Sequence, residues 1–313
     1  MEVLSRLSDL CRVAIAATVS AYFLAPNATA QTLDEAFYSS TVLITHSRDP
    51  GRTEFGSGFI IFRESTSGIT VTIPSMQPKI GRFFLITNKH VLPLAGRPRQ
   101  IRVRVQVHTT DYTGAKEVPL DIAGEDGRNL PIVKLHPDPD VDVAGIDITA
   151  VMAKEKIYIG ILSSNLLGTR DKLRDLGVAM GDEVYLLGYP QMMYDPQNVS
   201  PILRLGAIAT DPTEFWHFNV GLRRQWGLPE KLDGFLVDGN VYPGSSGSMV
   251  VLRPQGTSRG SVFSGGPRSI PYILGIVSGS IPIVDNAIGS VQRMGMGTVY
   301  SADDIKEVLD LFR

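Results

Sequence analysis

Short apolar runs separated by turn residues recur along almost the whole chain, and this rhythm restricts the fold more than any other feature. Thr41–Thr45, Gly56–Phe62, Ile69–Ile73, Arg82–Thr87, Ile101–His108, Asp147–Met152, Glu183–Leu187, Ile202–Ala209, Phe235–Val237, Met249–Leu252, Ile273–Ser278 and Gly297–Tyr300 each read as a strand. Gly, Pro, Asn or Asp punctuates nearly every gap between them. Helix is confined to the ends, apart from a turn near Asp171–Arg174. Thr32 caps a short helix with Glu35 three residues on. Ser301 caps a clearer one, in which Ile305, Val308, Leu309 and Phe312 share a face. A chain of 313 residues with 43% hydrophobic content can bury a large core. The predicted architecture is all-β: two packed six-stranded antiparallel β-barrels, over residues 40–155 and 180–300, closed by a C-terminal helix over 301–312.

A leader precedes this pattern. Arg6 and Arg12 precede the apolar run Val13–Ala25, and Ala28-Thr-Ala30 follows as a small-x-small cleavage site. This is the arrangement of a secretory signal over residues 1–30. The apolar run is shorter than the roughly 20 residues a membrane helix needs, so no stable membrane insertion is expected after cleavage. The single cysteine, Cys11, lies inside the leader. The mature domain, 31–313, is therefore expected to hold together without disulfides, which fits a bacterial periplasmic or secreted protein. A net charge of −2 supplies no basic excess of the kind nucleic-acid binding uses.

The stretch Pro243-Gly-Ser-Ser-Gly-Ser248 runs straight into the apolar segment Met249–Leu252. Gly244 and Gly247 permit a tight turn that exposes a hydroxyl, Ser246, beside converging N–H groups. His90 ends an apolar strand, and Asp142 lies in Asp140-Val-Asp-Val-Ala144. A serine is a weak nucleophile until a base takes its proton, and a carboxylate that orients the base completes a triad. Histidine, aspartate and serine in that chain order suit a histidine and aspartate from one barrel and a serine from the other. His46, His108, His136 and His217 lack metal-ligand spacing and read as surface or satisfied core residues. Asp138 and Asp140 read as exposed loop acids, because Val143 and Thr149 stand where a calcium loop needs glycine and glutamate. No metal or cofactor is expected. Trp216 and Trp226 are expected to pack in the core.

Five segments resemble the trypsin-like serine peptidases, and among these the bacterial HtrA-type peptidase domains. They are Gly56-Ser-Gly-Phe-Ile-Ile61, Thr87-Asn-Lys-His-Val91, Asp142-Val-Ala144, Pro243–Ser248 and Leu274-Gly-Ile-Val-Ser-Gly-Ser280. The resemblance implies His90, Asp142 and Ser246 as catalytic residues, with the N–H groups of Gly244 and Ser246 as an oxyanion hole. It implies backbone contacts from Ser278 and Ser280 to an extended protein or peptide substrate, and Asn240 at the floor of the specificity pocket. A non-acidic floor points away from Lys and Arg preference, toward a small or medium apolar residue. Ser245 replaces the aspartate that pairs with a freed N-terminus in digestive relatives, so no zymogen cut of that kind is expected. No PDZ-like segment follows the final helix, so regulation by that route is not expected. The implied activity is hydrolysis of peptide bonds through an acyl-enzyme. A catalytically lapsed, protein-binding version of the same fold is the alternative, and an esterase is a weaker third reading.

Overall fold

The computed structural model describes residues 20–22, 33–49, 52–72, 78–94, 100–108, 113–155, 157, 159–255, 267–285 and 290–312. Most of the leader lies outside them, and Ser20–Tyr22 forms a short strand, β1, parallel to Thr70–Thr72. Helix α1 (Leu33–Ser40) leads into strands β2 (Thr41–Asp49), β3 (Arg52–Thr72), β4 (Lys79–Thr87), β5 (Gln100–His108), β6 (Thr113–Asp121), β7 (Val133–Leu135) and β8 (Ala144–Asp147). Helices α2 (Thr149–Glu155) and α3 (Arg170–Leu176) connect to β9 (Glu183–Gly188), β10 (Ile202–Ile208), β11 (Trp216–His217), α4 (Val220–Trp226), β12 (Lys231–Leu232), β13 (Gly234–Asp238) and β14 (Met249–Leu252). The long hairpin β15 (Ile273–Asp285) and β16 (Ser290–Ser301) runs into α5 (Ala302–Asp310).

One of the two expected barrels closes. The C-terminal lobe is a six-stranded barrel in the order β10-β13-β16-β15-β14-β9. The N-terminal lobe is instead an open sheet in the order β6-β5-β2-β3-β4-β8-β7. Its edges meet through a turn rather than a ladder: the Leu130 N–H donates to the Ile122 carbonyl, and Ala123 and Asn129 form a single bridge. Pro119 sits in β6, where an edge strand tolerates the missing donor.

The apolar run Phe59–Phe62 is buried along its whole length. Phe59 and Ile61 face one cluster and Ile60 and Phe62 another, because successive side chains of a strand alternate between faces. The first cluster is the seam between lobes. It joins Phe84 and Ile86 of β4 to Leu187, Met249 and Ile276 of the barrel and to Ile305, Val308 and Phe312 at the chain end. Each such side chain contributes on the order of 1.5–3 kcal/mol by burial.

Three expectations need correction. Asp147–Met152 is not a strand: β8 ends at Asp147, whose Oδ1 accepts the Thr149 N–H and starts α2 instead. Helix is therefore not confined to the ends. Trp216 remains 37% exposed and Trp226 half-buried, on a short excursion whose helix α4 is capped by Asn219.

Helix α5 carries a capping box in which Ser301 and Asp304 bond reciprocally. Asp304 is 1% exposed, and its pKa is pushed up to about 8, chiefly by burial and then by Asp233, against hydrogen bonds from Ser301 and the charge of Arg170. His136 Nε2 also faces it at 3.7 Å. A carboxyl that binds its proton more tightly folded than unfolded stabilises the fold below its unfolded pKa, and that contribution fades as pH climbs through about 8. Asp304→Asn keeps an acceptor for the Ser301 N–H and is expected to flatten the fall in stability between pH 5 and 9. Urea titrations across that range check it, and an unchanged pH slope contradicts it.

Candidate active site

Strand β4 ends at Thr87, and the chain turns through Asn88 into a single 3-10 turn, Lys89–Val91, which presents His90 at the rim. The loop between β7 and β8 brings Asp142 against it. The buried Asn88 side chain holds this loop through Nδ2, which donates to the Asp142 carbonyl at 2.7 Å. The His90 N–H donates to Asp142 Oδ1 at 3.1 Å, and His90 Nδ1 lies 2.5 Å from Oδ2. A carboxylate accepts only, so in the neutral imidazole Nδ1 carries the proton and Nε2 the lone pair. Asp138 and Asp140 are exposed, as expected. Asp138 shapes the loop, its Oδ1 accepting the Asp140 N–H and its carbonyl accepting from Lys89 Nζ.

The serine turn lies between β13 and β14. Gly244 and Gly247 both have φ of 85°, in the region that favours glycine. Ser245 is fully buried, and its Oγ accepts the Tyr242 N–H. It stabilises the turn. The Gly244 and Ser246 N–H groups, flanking this serine, have no protein acceptor among the described residues. These are the two N–H groups expected from the resemblance to serve as an oxyanion hole.

Ser57, from the N-terminal sheet, holds this turn. Its N–H donates to the Ser246 carbonyl at 2.7 Å, and its Oγ donates to the Gly244 carbonyl at 2.8 Å and accepts the Tyr189 N–H. Its own carbonyl accepts from Thr87 Oγ1 at 2.8 Å. A Cβ on Gly56 would meet both Val91 methyls at 2.7 Å, just beyond His90. The Gly-Ser-Gly segment thus fits closely between the histidine turn and the serine turn. The sequence marked it as a strand and gave no signal for this role.

Ser278, expected to contact substrate backbone, also ties the candidate residues together. Its Oγ donates to Asp142 Oδ2 at 2.7 Å, and its carbonyl accepts from Ser246 Oγ at 2.7 Å. His90, Asp142, Ser278 and Ser246 therefore form one connected cluster. His90 and Ser246 share no hydrogen bond among the described residues. Ser280 pairs with Gly297 on the β16 side. Strand β14 pairs with β15 only as far as Ile276, and beyond the Val277–Ser248 bond that edge of β15 has no strand partner among the described residues. Asn240, expected at a pocket floor, is exposed, with φ of 34° and a carbonyl accepting from Arg204 Nη1 at 2.8 Å. Of the remaining histidines, His46 and His136 are buried and His217 is exposed, and His136 Nε2 lies 3.0 Å from Glu307.

No family model and no curated protein matches the sequence. Solved structures do. The inactive form of Rv3671c from Mycobacterium tuberculosis H37Rv is 16% identical with a TM-score of 0.45, over 92% of this chain and 94% of that one. The active form of the same protease is 17% identical with a TM-score of 0.43, over 90% and 83%. Tobacco etch virus protease, solved with its product, is 14% identical with a TM-score of 0.42, over 91% and 81%. At this distance the chemistry has to come from the chain's own residues.

Proposed function

We propose that the chain is an exported serine endopeptidase of the trypsin-like kind, with His90 as base, Asp142 as its orienting carboxylate and Ser246 as nucleophile. The observation that carries the proposal is the hydrogen-bonded run from His90 through Asp142 and Ser278 to Ser246, beside two unspent N–H groups. An extended peptide adds along the open edge of β15. Its N–H competes for the Ser278 carbonyl and releases the Ser246 hydroxyl. The freed Oγ turns toward His90 Nε2, gives up its proton and attacks the scissile carbonyl. The Gly244 and Ser246 N–H groups receive the oxyanion, each contributing on the order of 10²–10³ in rate. The imidazolium, stabilised by Asp142, protonates the leaving amine, and water then cleaves the acyl-enzyme by the same route in reverse.

A protein-binding module on the same scaffold is the second reading. The bond from Ser246 to Ser278 rather than to His90 favours it. One experiment separates the two. A fluorophosphonate probe is applied to residues 31–313, and the labelled residue is mapped by mass spectrometry. The enzyme reading expects stoichiometric modification at Ser246 without prior trimming of the chain. Folded protein that stays unmodified leaves the binding reading.

A further inference from the structure

Strand β10 has its amphipathicity reversed. Leu203 and Leu205 are 39% and 53% exposed, while Arg204 between them lies opposite the fully buried Leu186 of β9. Directly opposed residues share a face, so Arg204 points with Leu186 toward the barrel core. Its Nη1 is spent on the Asn240 carbonyl, but Nε and Nη2 are buried without a partner among the described residues. No carboxylate lies within ion-pair distance of it among the described residues. Arg63, Arg82, Arg170 and Arg268, which are also substantially covered, each have an aspartate. Burial pulls the Arg204 pKa below its ordinary value, with the Tyr242 hydroxyl as the one opposing influence. A buried guanidinium with two idle nitrogens carries a large desolvation cost and calls for a ligand.

Its position says which ligand. Arg204 bonds to the segment that leads into the serine turn, between β13 and Tyr242. The neighbouring wall is close: a Cβ on Gly206 would lie 2.6 Å from the Asp238 carbonyl, and one on Gly295 would lie 3.5 Å from Asn240 Oδ1. Asn240 holds a φ of 34°, in the left-handed region that asparagine adopts more readily than most residues, and its carbonyl is the one group that satisfies Arg204 among the described residues. A carboxylate is a stronger acceptor for a guanidinium than a neutral backbone carbonyl. We infer that Arg204 forms the base of the primary specificity pocket and selects substrates with an aspartate or glutamate side chain before the scissile bond, the Asn240 carbonyl standing where a substrate carboxylate oxygen goes. This replaces the apolar preference expected from the sequence, and it rests on the peptidase reading for its consequence in turnover.

The test uses internally quenched peptides that differ only at that residue: Glu, Asp, Gln, Leu and Lys. The wild type is expected to favour Glu over its neutral isostere Gln by about 10- to 100-fold in kcat/KM, the range of a charge-assisted hydrogen-bonded pair. Arg204→Met is expected to erase that ratio while keeping fluorophosphonate labelling, and Arg204→Lys to retain part of it. Should Arg204→Met fail to fold, the Glu-to-Gln ratio of the wild type decides alone. A preference for Leu or Lys, unaltered in Arg204→Met, overturns the inference and leaves the peptidase reading intact. If the protein neither labels nor cleaves, calorimetry with peptides ending in Glu or Gln replaces the kinetics. Tighter binding of the Glu peptide upholds the pocket without the enzyme, and equal binding overturns it.

Discussion

Ser246→Ala is expected to lower peptide turnover by roughly 10⁵- to 10⁶-fold, the scale of removing a nucleophile that acts in concert with its base. Nearly all of the loss should fall on kcat. The residue is half-buried, and its hydroxyl donates to the Ser278 carbonyl. Its removal frees that carbonyl for substrate, so peptide affinity is kept or slightly improved. The fold loses about 0.5–1.5 kcal/mol, a melting shift of a few degrees. Steady-state kinetics with product-peptide titrations separates the two effects. A variant that retains more than a hundredth of the wild-type kcat contradicts the role given to Ser246. A variant that loses binding and turnover together contradicts the picture of a hydroxyl resting on the substrate's acceptor.

Gly247→Ala is the second large effect, and it reaches the fold as well as the chemistry. A Cβ there would lie 1.7 Å from the Ser57 carbonyl oxygen, with φ at 85°. Neither partner can yield cheaply, because both are backbone. The turn must shift, and the bonds from Ser57 N–H to the Ser246 carbonyl and from Gly247 N–H to the Val277 carbonyl go with it. A loss of about 4 kcal/mol or more is expected. Thermal melting should show a fall of 10 °C or more by the usual scaling, with loss of fluorophosphonate labelling even at temperatures where the variant stays folded. A variant with wild-type labelling would show that the turn does not need this geometry.

The residues that meet at the candidate site were legible in the sequence because each stands in a short local pattern: an apolar strand ending on His90, an aspartate loop at Asp142, a Gly/Ser turn at Ser246. What local pattern cannot carry is a partner from far along the chain. Ser57 and Gly244 lie 187 positions apart, and Ser278 and Asp142 lie 136 apart. Nothing in the runs around Ser57 or Ser278 announces these bonds. The strands that read as continuous apolar runs were legible for the same local reason. Strands β6 and β7 were not, because Pro119 and the brevity of Val133–Leu135 weaken their pattern. Helix α2 was hidden by β-branched and apolar residues that fit either structure, and the bond from the Thr149 N–H to the Asp147 carboxylate goes with the turn into helix. In Ile202–Ala209 the strand was legible but its facing was not, since an arginine among leucines is by default assigned to the outside.

The clasp made by Ser57 has a bearing on how such a protein could be silenced. One small side chain and its own peptide group tie the Gly244 and Ser246 carbonyls to the opposite lobe. Any change that spreads the two lobes would therefore pull Ser246 out of line without touching it. Control of such a protein could then act on the fit between its lobes and leave the cleft itself alone.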